Sequence, residues 1–366
     1  MKVNTSYWPP EQVQRGIQEA AAVLAAGGVV AFPTETVYGL GGDARNSEAV
    51  KQIFAAKGRP SDNPLIVHLA MAEDVLELVE RVNEVEKKLM SAFWPGPLTL
   101  VLPVREGAVS PIVTAGLNTV AVRVPANEIA RQLIEQSGCP LAAPSANRSG
   151  RPSPTLARHV KEDLNGLING VLDGGATGVG LESTVVQVVD NQVHILRPGG
   201  VTREQLQLVL GTRVQIFKPT PIEEQTATAL SGGEITSQTN SAQPPRSPGV
   251  KYAHYAPKGD MLLVTGDPNK VISFIQAKAV DAQRRGYRVA ILSCSEHASY
   301  YKAEAVFDCG PLAEPDKAAQ SLYALLRECD EQELGFIIAE GYIEDGIGAA
   351  LMNRLRKAAG GHEVVV

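Results

Sequence analysis

Two hydrophobic rhythms alternate along this chain. Residues 11–28, EQVQRGIQEAAAVLAAGG, carry alanine, valine, isoleucine and leucine at helical spacing and stop at Gly27 and Gly28, the usual punctuation for a helix end. The apolar run Val29-Val30-Ala31-Phe32 follows at once and reads as a buried strand. The same patterns predict strands at 65–69, 98–103, 119–124, 141–143, 170–173, 184–189 and 193–197, and helices over 48–56, 72–93, 127–136 and from Thr202 onward. The last two strands are separated only around Asp190-Asn191, which implies antiparallel pairing inside a mixed sheet. A first domain is therefore expected over 1–210.

Residues 218–249 break both rhythms: they are rich in Pro, Ser, Thr and Gly and nearly free of large apolar side chains, so burial cannot offset their ordering entropy. A linker is expected over 211–257. Beyond it the alternation resumes on a smaller scale, with strand candidates MLLVTG, RVAILS, AVFDCG and GFIIAEG and helices over 268–285, 316–330 and one ending at Lys357. This predicts a small Rossmann-like α/β domain over 258–366. It has no GxGxxG after its first strand and so no sign of an organic dinucleotide cofactor. No repeat of fixed period is present.

The 366 residues are 44% hydrophobic and 20% charged, which fits two globular domains and excludes global disorder. With 34 Lys and Arg against 40 Asp and Glu, a net charge of −6 and 5% aromatics, the chain is no general nucleic-acid coat or membrane-surface protein. Any RNA contact must be local. Cys139, Cys294, Cys309 and Cys329 form no CxxC pair and have no histidine partner at zinc-site spacing, so reduced, buried thiols are expected. The first residues, MKVNTSYWPPEQ, lack the apolar stretch of a signal peptide, and no run approaches the ~20 apolar residues of a membrane span. A cytoplasmic protein is expected.

Polar residues concentrate just beyond the strands. Pro33 to Gly42, PTETVYGLGG, sets Thr34, Glu35, Thr36 and Tyr38 among glycines after the first strand, where open α/β sheets bind ligands. A glycine-rich turn with capping threonines would use the same residues. Lys57 and Arg59 flank Gly58 at a helix end and suit phosphate oxygens; capping that helix is the alternative. His68 ends a strand and is more often a satisfied core or surface imidazole than a ligand. The loop APSANRSGRPSP at 143–154 offers hydroxyls, an amide and two arginines, while Arg123 and Arg197 sit within or at the end of apolar strands and must reach a partner. Residues 180–184, GLEST, make another polar turn. No Walker A sequence exists.

In this order, PTETVYGL, KGRP with DNPLIVH, WPGPLT, TVAVRVP, APSANRSG, ESTVV and LRPGG resemble the YrdC-type domain of threonylcarbamoyl-AMP synthases. SPGVKYAHYAP and GIGAALMNRLRKAA extend the resemblance to the longer, two-domain form of that family, covering nearly the whole chain. The resemblance implies a YrdC-like twisted mixed-sheet domain with helices, followed by the small Rossmann-like domain. It implies synthesis of threonylcarbamoyl-AMP and pyrophosphate from L-threonine, bicarbonate and ATP, a product that a separate threonylcarbamoyl-transferase complex uses on tRNA beside the anticodon. Thr36, His68, Arg123, Ala143 and Ser183 would surround threonine; Arg59, Asn63, Thr119, Ser145, Asn147, Ser153 and Arg197 would hold ATP; Lys57 and Arg59 would be catalytic. Mg2+ is expected with ATP, with no carboxylate cluster to identify protein ligands. Lys251, Tyr252, His254 and Tyr255 are expected to act as a lid that shields the adenylate from water. Two other readings compete: an RNA-binding module of the YrdC type, with transient tRNA contact, and a carbamoyltransferase of the hydrogenase-maturation type, whose zinc-finger cysteines and acylphosphatase-like domain are missing here.

Overall fold

The computed structural model describes residues 3–218 and 255–366. Its first part runs β1 (Ser6–Trp8), α1 (Val13–Ala25), β2 (Val30–Phe32), β3 (Gly39–Asp43), α2 (Ser47–Lys57), β4 (Ile66–His68), α3 (Val75–Leu78), α4 (Glu84–Phe93) and β5 (Leu98–Pro103). It continues with β6 (Thr119–Arg123), α5 (Glu128–Ser137), β7 (Leu141–Ala142), α6 (Ala157–Leu164), β8 (Gly170–Leu172), β9 (Thr184–Val189), β10 (Gln192–Arg197), α7 (Arg203–Leu210) and β11 (Ile216–Phe217). These strands form one mixed sheet, ordered β1-β8-β2-β3-β7-β4-β6-β5-β9-β10-β11. Alternation along β2 explains how it is covered: Val30 and Phe32 face α1 and α5, while Ala31 joins a larger cluster with Ile53 of α2 on the other side.

Several elements differ from the expectation. The glycines of PTETVYGLGG are not a turn: Gly39, Gly41 and Gly42 lie in β3, antiparallel to β2. A Cβ on Gly41 would stand 2.7 Å from the Phe32 ring, so glycine there serves close strand packing. The single helix expected over 72–93 is two, because Val79 is extended and bridges to Val104, and Asn83 starts α4 afresh with a capping box to Glu86. β1 and β11 are additional edge strands, the latter beyond residue 210.

The second part contains β12 (Asp260–Thr265), α8 (Pro268–Arg284), β13 (Val289–Ser293), β14 (Ala305–Asp308), α9 (Pro315–Glu331), β15 (Phe336–Glu340), α10 (Ile347–Ala358) and β16 (Glu363–Val365). It is an all-parallel sheet of order β14-β13-β15-β12-β16, Rossmann-like as expected, with β16 as an extra edge. No helix among the described residues is long and apolar enough to cross a membrane.

The two sheets share a core. Val37 and Leu181, from loops of the first sheet, pack in one cluster with Tyr255, Tyr323 and Leu355. The closest approach is at Gly180, whose φ of +78° suits glycine and where a Cβ would lie 2.4 Å from Gln320 Cα in α9. Gly180→Ala should therefore destabilise the protein by about 1–3 kcal/mol, whereas Gly178→Ala, with its nearest contact at 3.9 Å, should change little. Urea unfolding of both variants checks this.

Candidate active site

Strand register builds the floor of the site. β4 and β6 are parallel with His68 opposite Arg123, so their side chains share one face, and β7 flanks β4 with Leu141 opposite His68. The Arg123 guanidinium is fixed from three sides: Nε donates to Gly96 O at 3.1 Å, Nη1 to Thr36 Oγ1 at 3.0 Å, and Nη2 pairs with Glu35 at 2.6 Å. His68 is buried, and its Nδ1 has no hydrogen-bond partner. Burial, with the Arg123 charge beside it, pulls the imidazole down to about 3. It is neutral near pH 7 and offers a polar atom without charge.

A helix end supplies the cations. Asn46 caps α2 through Glu48 N and Ala49 N, and Gly58, at φ +61°, ends it in the left-handed conformation that glycine favours. That bend separates Lys57 from Arg59. Lys57 does not cap its own helix: Nζ reaches across to Ser145 O at 2.5 Å and Asn147 O at 2.6 Å. Burial, with Arg59 nearby, holds the Lys57 ammonium well below its usual range, and these carbonyl oxygens orient it. Arg59 Nη2 donates to Pro64 O at 3.2 Å.

The facing loop is internally bonded. Ser145 Oγ donates to Asn147 Oδ1, and Asn147 Nδ2 donates to Arg148 O and Arg151 O, so this amide shapes the loop. Arg197, buried at the end of β10, donates to Ser183 O and Oγ.

Thr36, Lys57, Arg59, His68, Arg123, Ala143, Ser145, Asn147, Ser183, Arg197 and Tyr255 all line one cavity of about 70 Å³. Asn63, Thr119 and Ser153 do not line it: Asn63 is buried behind Arg59, Thr119 opens β6 opposite Pro103, and Ser153 is turned onto Glu182. Lys251, Tyr252 and His254 lie outside the described residues.

Glu182 is the lining residue that motif reading passed over. Its carboxylate accepts from Ser153 Oγ at 2.6 Å and Tyr323 OH at 3.0 Å, and pairs with Arg354 Nε at 2.8 Å. Burial alone would raise this carboxyl, but Arg354 and Arg197, with the Ser153 and Arg354 hydrogen bonds, hold it at about 2. Tyr255 stacks on Tyr323 with ring centroids 5.2 Å apart and lies 5.3 Å from the Arg354 guanidinium, while Ala256 N binds Gly150 O. Tyr255, just ahead of the second sheet, thus lines the first sheet's cavity while resting on Tyr323 and Arg354 of the second domain. Asp163 reinforces the contact through Arg327 at 2.7 Å, and Arg151, which also pairs with Asp163, lies 3.8 Å from Asp330 across it. Among the described lining residues Glu182 is the only carboxylate, and it is already committed to Arg354.

An α/β chain that gathers lysine and arginine side chains around a neutral histidine in one cavity has the chemistry to suit a small anionic ligand. A family profile described as telomere recombination, covering Sua5, YciO and YrdC proteins, matches residues 22–199, and one described as threonylcarbamoyl-AMP synthase, C-terminal domain, matches 201–360. A threonylcarbamoyl-AMP synthase of Bacillus subtilis is 47% identical over 95% of this chain and 94% of its own length; one of Pyrococcus abyssi is 44% identical over 94% of each. The crystal structure of P. abyssi Sua5 complexed with L-threonine superposes with a TM-score of 0.85 at 42% identity, covering 99% of both chains. The chain belongs to the Sua5/YciO/YrdC family, in the form that carries the Sua5 carboxy-terminal domain.

The buried imidazoles set an acid limit on stability. His68 and His159 are both held down to about 3 from 6.5, chiefly by burial. Between those values the unfolded chain binds protons that the folded chain does not, so stability should fall as pH drops below about 6.5. Urea unfolding in steps from pH 7.5 to 5, above the range where ordinary carboxyls titrate, should show the fall; a flat profile would refute it.

Proposed function

We propose that the chain is a nucleotidyltransferase that makes threonylcarbamoyl-AMP from L-threonine, bicarbonate and ATP, releasing pyrophosphate, for threonylcarbamoyladenosine modification of tRNA. Near-complete coverage by synthases of this activity supports the reaction. The observation that carries the reading is the burial of Lys57, Arg123 and Arg197 in one cavity. Charges that deep suit a small polyanion, whereas an RNA backbone needs its cations on an open surface. The RNA-binding alternative is correspondingly weaker.

The threonine amine adds to bicarbonate, water leaves, and a carbamate results. Its oxygen attacks the α-phosphorus of ATP and the bond to pyrophosphate breaks. No protein nucleophile is required, and the four cysteines are buried. The protein orients reactants and neutralises charge. Arg123 and Thr36 would receive the threonine carboxylate, with Glu35 exchanged from the guanidinium as threonine binds; neutral His68 and Ser183 would meet its polar groups, near the main chain of Ala143. Lys57 and Arg59 would neutralise the carbamate and α-phosphate. Ser145, Asn147 and Arg197 would bear on ATP directly, while Asn63, Thr119 and Ser153 would act from behind the lining or require rearrangement. Mg2+ would arrive on the ATP phosphates with water as its other ligands, since Glu182 is engaged. Lys251, Tyr252, His254 and Tyr255 would together shield the adenylate from water. The product would pass to a transferase complex in the cytoplasm.

Pyrophosphate release from ATP should require both threonine and bicarbonate; release independent of either would refute the reaction. Lys57→Ala and Arg59→Ala should each lower turnover by roughly a hundredfold or more. Arg123→Lys should raise the threonine KM and rescue little, because lysine lacks the planar fork. Initial-rate kinetics with each substrate varied separates these effects.

A further inference from the structure

Away from the cavity, the second sheet brings together three side chains that the reaction does not use. Its strand order sends the chain from β13 outward to β14 and from β15 in the opposite direction to β16. The carboxyl ends of β13 and β15 therefore form a topological switch point, the place where parallel α/β sheets open a crevice for a ligand. Cys294 and His297 follow β13, and Glu340 is the last residue of β15. One ligand atom from each lies within 4.8 Å of the others.

The charge balance there is incomplete. Glu340 is buried, and among the described residues its only ion-pair partner is His297, whose Nδ1 is 3.2 Å from both carboxylate oxygens. Cys294 N and the Tyr301 hydroxyl also donate to this carboxylate, yet neither carries positive charge. The Tyr342 hydroxyl, buried beside Cys309, Cys294 and Glu340, brings no positive charge either. A buried carboxylate without a fixed cation is costly unless a counter-charge arrives.

We infer that Cys294, His297 and Glu340 form a binding site for a zinc-like divalent cation in the second domain. Sulfur, imidazole nitrogen and carboxylate oxygen suit zinc and its neighbours, whereas magnesium and calcium take oxygen ligands. Bond lengths of about 2.0–2.3 Å put neighbouring ligand atoms about 3.3–3.8 Å apart in a tetrahedral site, so a small contraction suffices. Tyr301 orients the carboxylate from behind, as partners of metal ligands commonly do. Three protein ligands leave a fourth position for water. Spacing along the sequence does not reveal this trio, because Glu340 comes from a different strand from the one that precedes Cys294 and His297. Uptake of the cation releases the thiol proton, so binding should strengthen with rising pH.

The test uses the full-length chain, stripped with chelator, and Co2+ alone as probe, with Zn2+ as competitor. One equivalent of Co2+ should produce a thiolate-to-cobalt charge-transfer band that Zn2+ abolishes. Cys294→Ser should remove the band, His297→Ala should weaken binding by at least about tenfold, and Cys139→Ser should leave both unchanged. Retained threonine-dependent pyrophosphate release would show that the Cys294→Ser chain is folded, so that loss of the band reports loss of a ligand. Absence of a saturable band in the parent chain, or its survival in Cys294→Ser, overturns the site.

Discussion

A buried carboxylate holds this architecture together. Glu182 stands between two sheets, and nothing in the first sheet alone gives it the full charge compensation that burial demands. Arg354 and Tyr323 reach it from helices α10 and α9 of the second domain, and Ser153 reaches it from the loop beside the cavity. Removing one partner of such a group leaves an uncompensated charge, which costs more than the intact pair contributes. The contact therefore makes each sheet intolerant of losing the other. It also fixes the wall on which Ser183, Arg197 and Tyr255 meet.

The site itself depends on a division between residues that carry charge and residues that place it. Lys57 is positioned by main-chain oxygens of residues 145 and 147, Arg123 by Gly96, Thr36 and Glu35, and Arg197 by Ser183. Each cation is thus oriented before a ligand arrives, and little reorganisation remains for the moment of reaction. His68 completes the arrangement by staying neutral.

Much of this was legible in the sequence because local signals agreed. Gly27-Gly28 ended a helix before a strand, and PTETVYGL, APSANRSG and LRPGG put cavity groups beyond strand ends while KGRP put them at the end of α2. What escaped the sequence was non-local. The glycines of β3 looked like a turn because their reason for being small is Phe32, on the neighbouring strand. The helix expected over 72–93 was broken by pairing of Val79 with Val104, a contact that periodicity does not see. Asn63, Thr119 and Ser153 carry suitable chemistry yet do not line the cavity. Glu182 lay in a polar turn, and its significance came only with Arg354, 172 residues away.

That separation has a consequence for how the protein comes into being. Synthesis proceeds from the amino terminus, and Arg354 is made 172 residues after Glu182. A nascent chain can pair the strands of its first sheet long before this arginine leaves the ribosome, but Glu182 then lacks its principal counter-charge. The packing around Glu182 is completed only once the second domain has been made. A chain that stops short of Arg354 keeps Ser153 beside Glu182 but lacks the guanidinium that pairs with it.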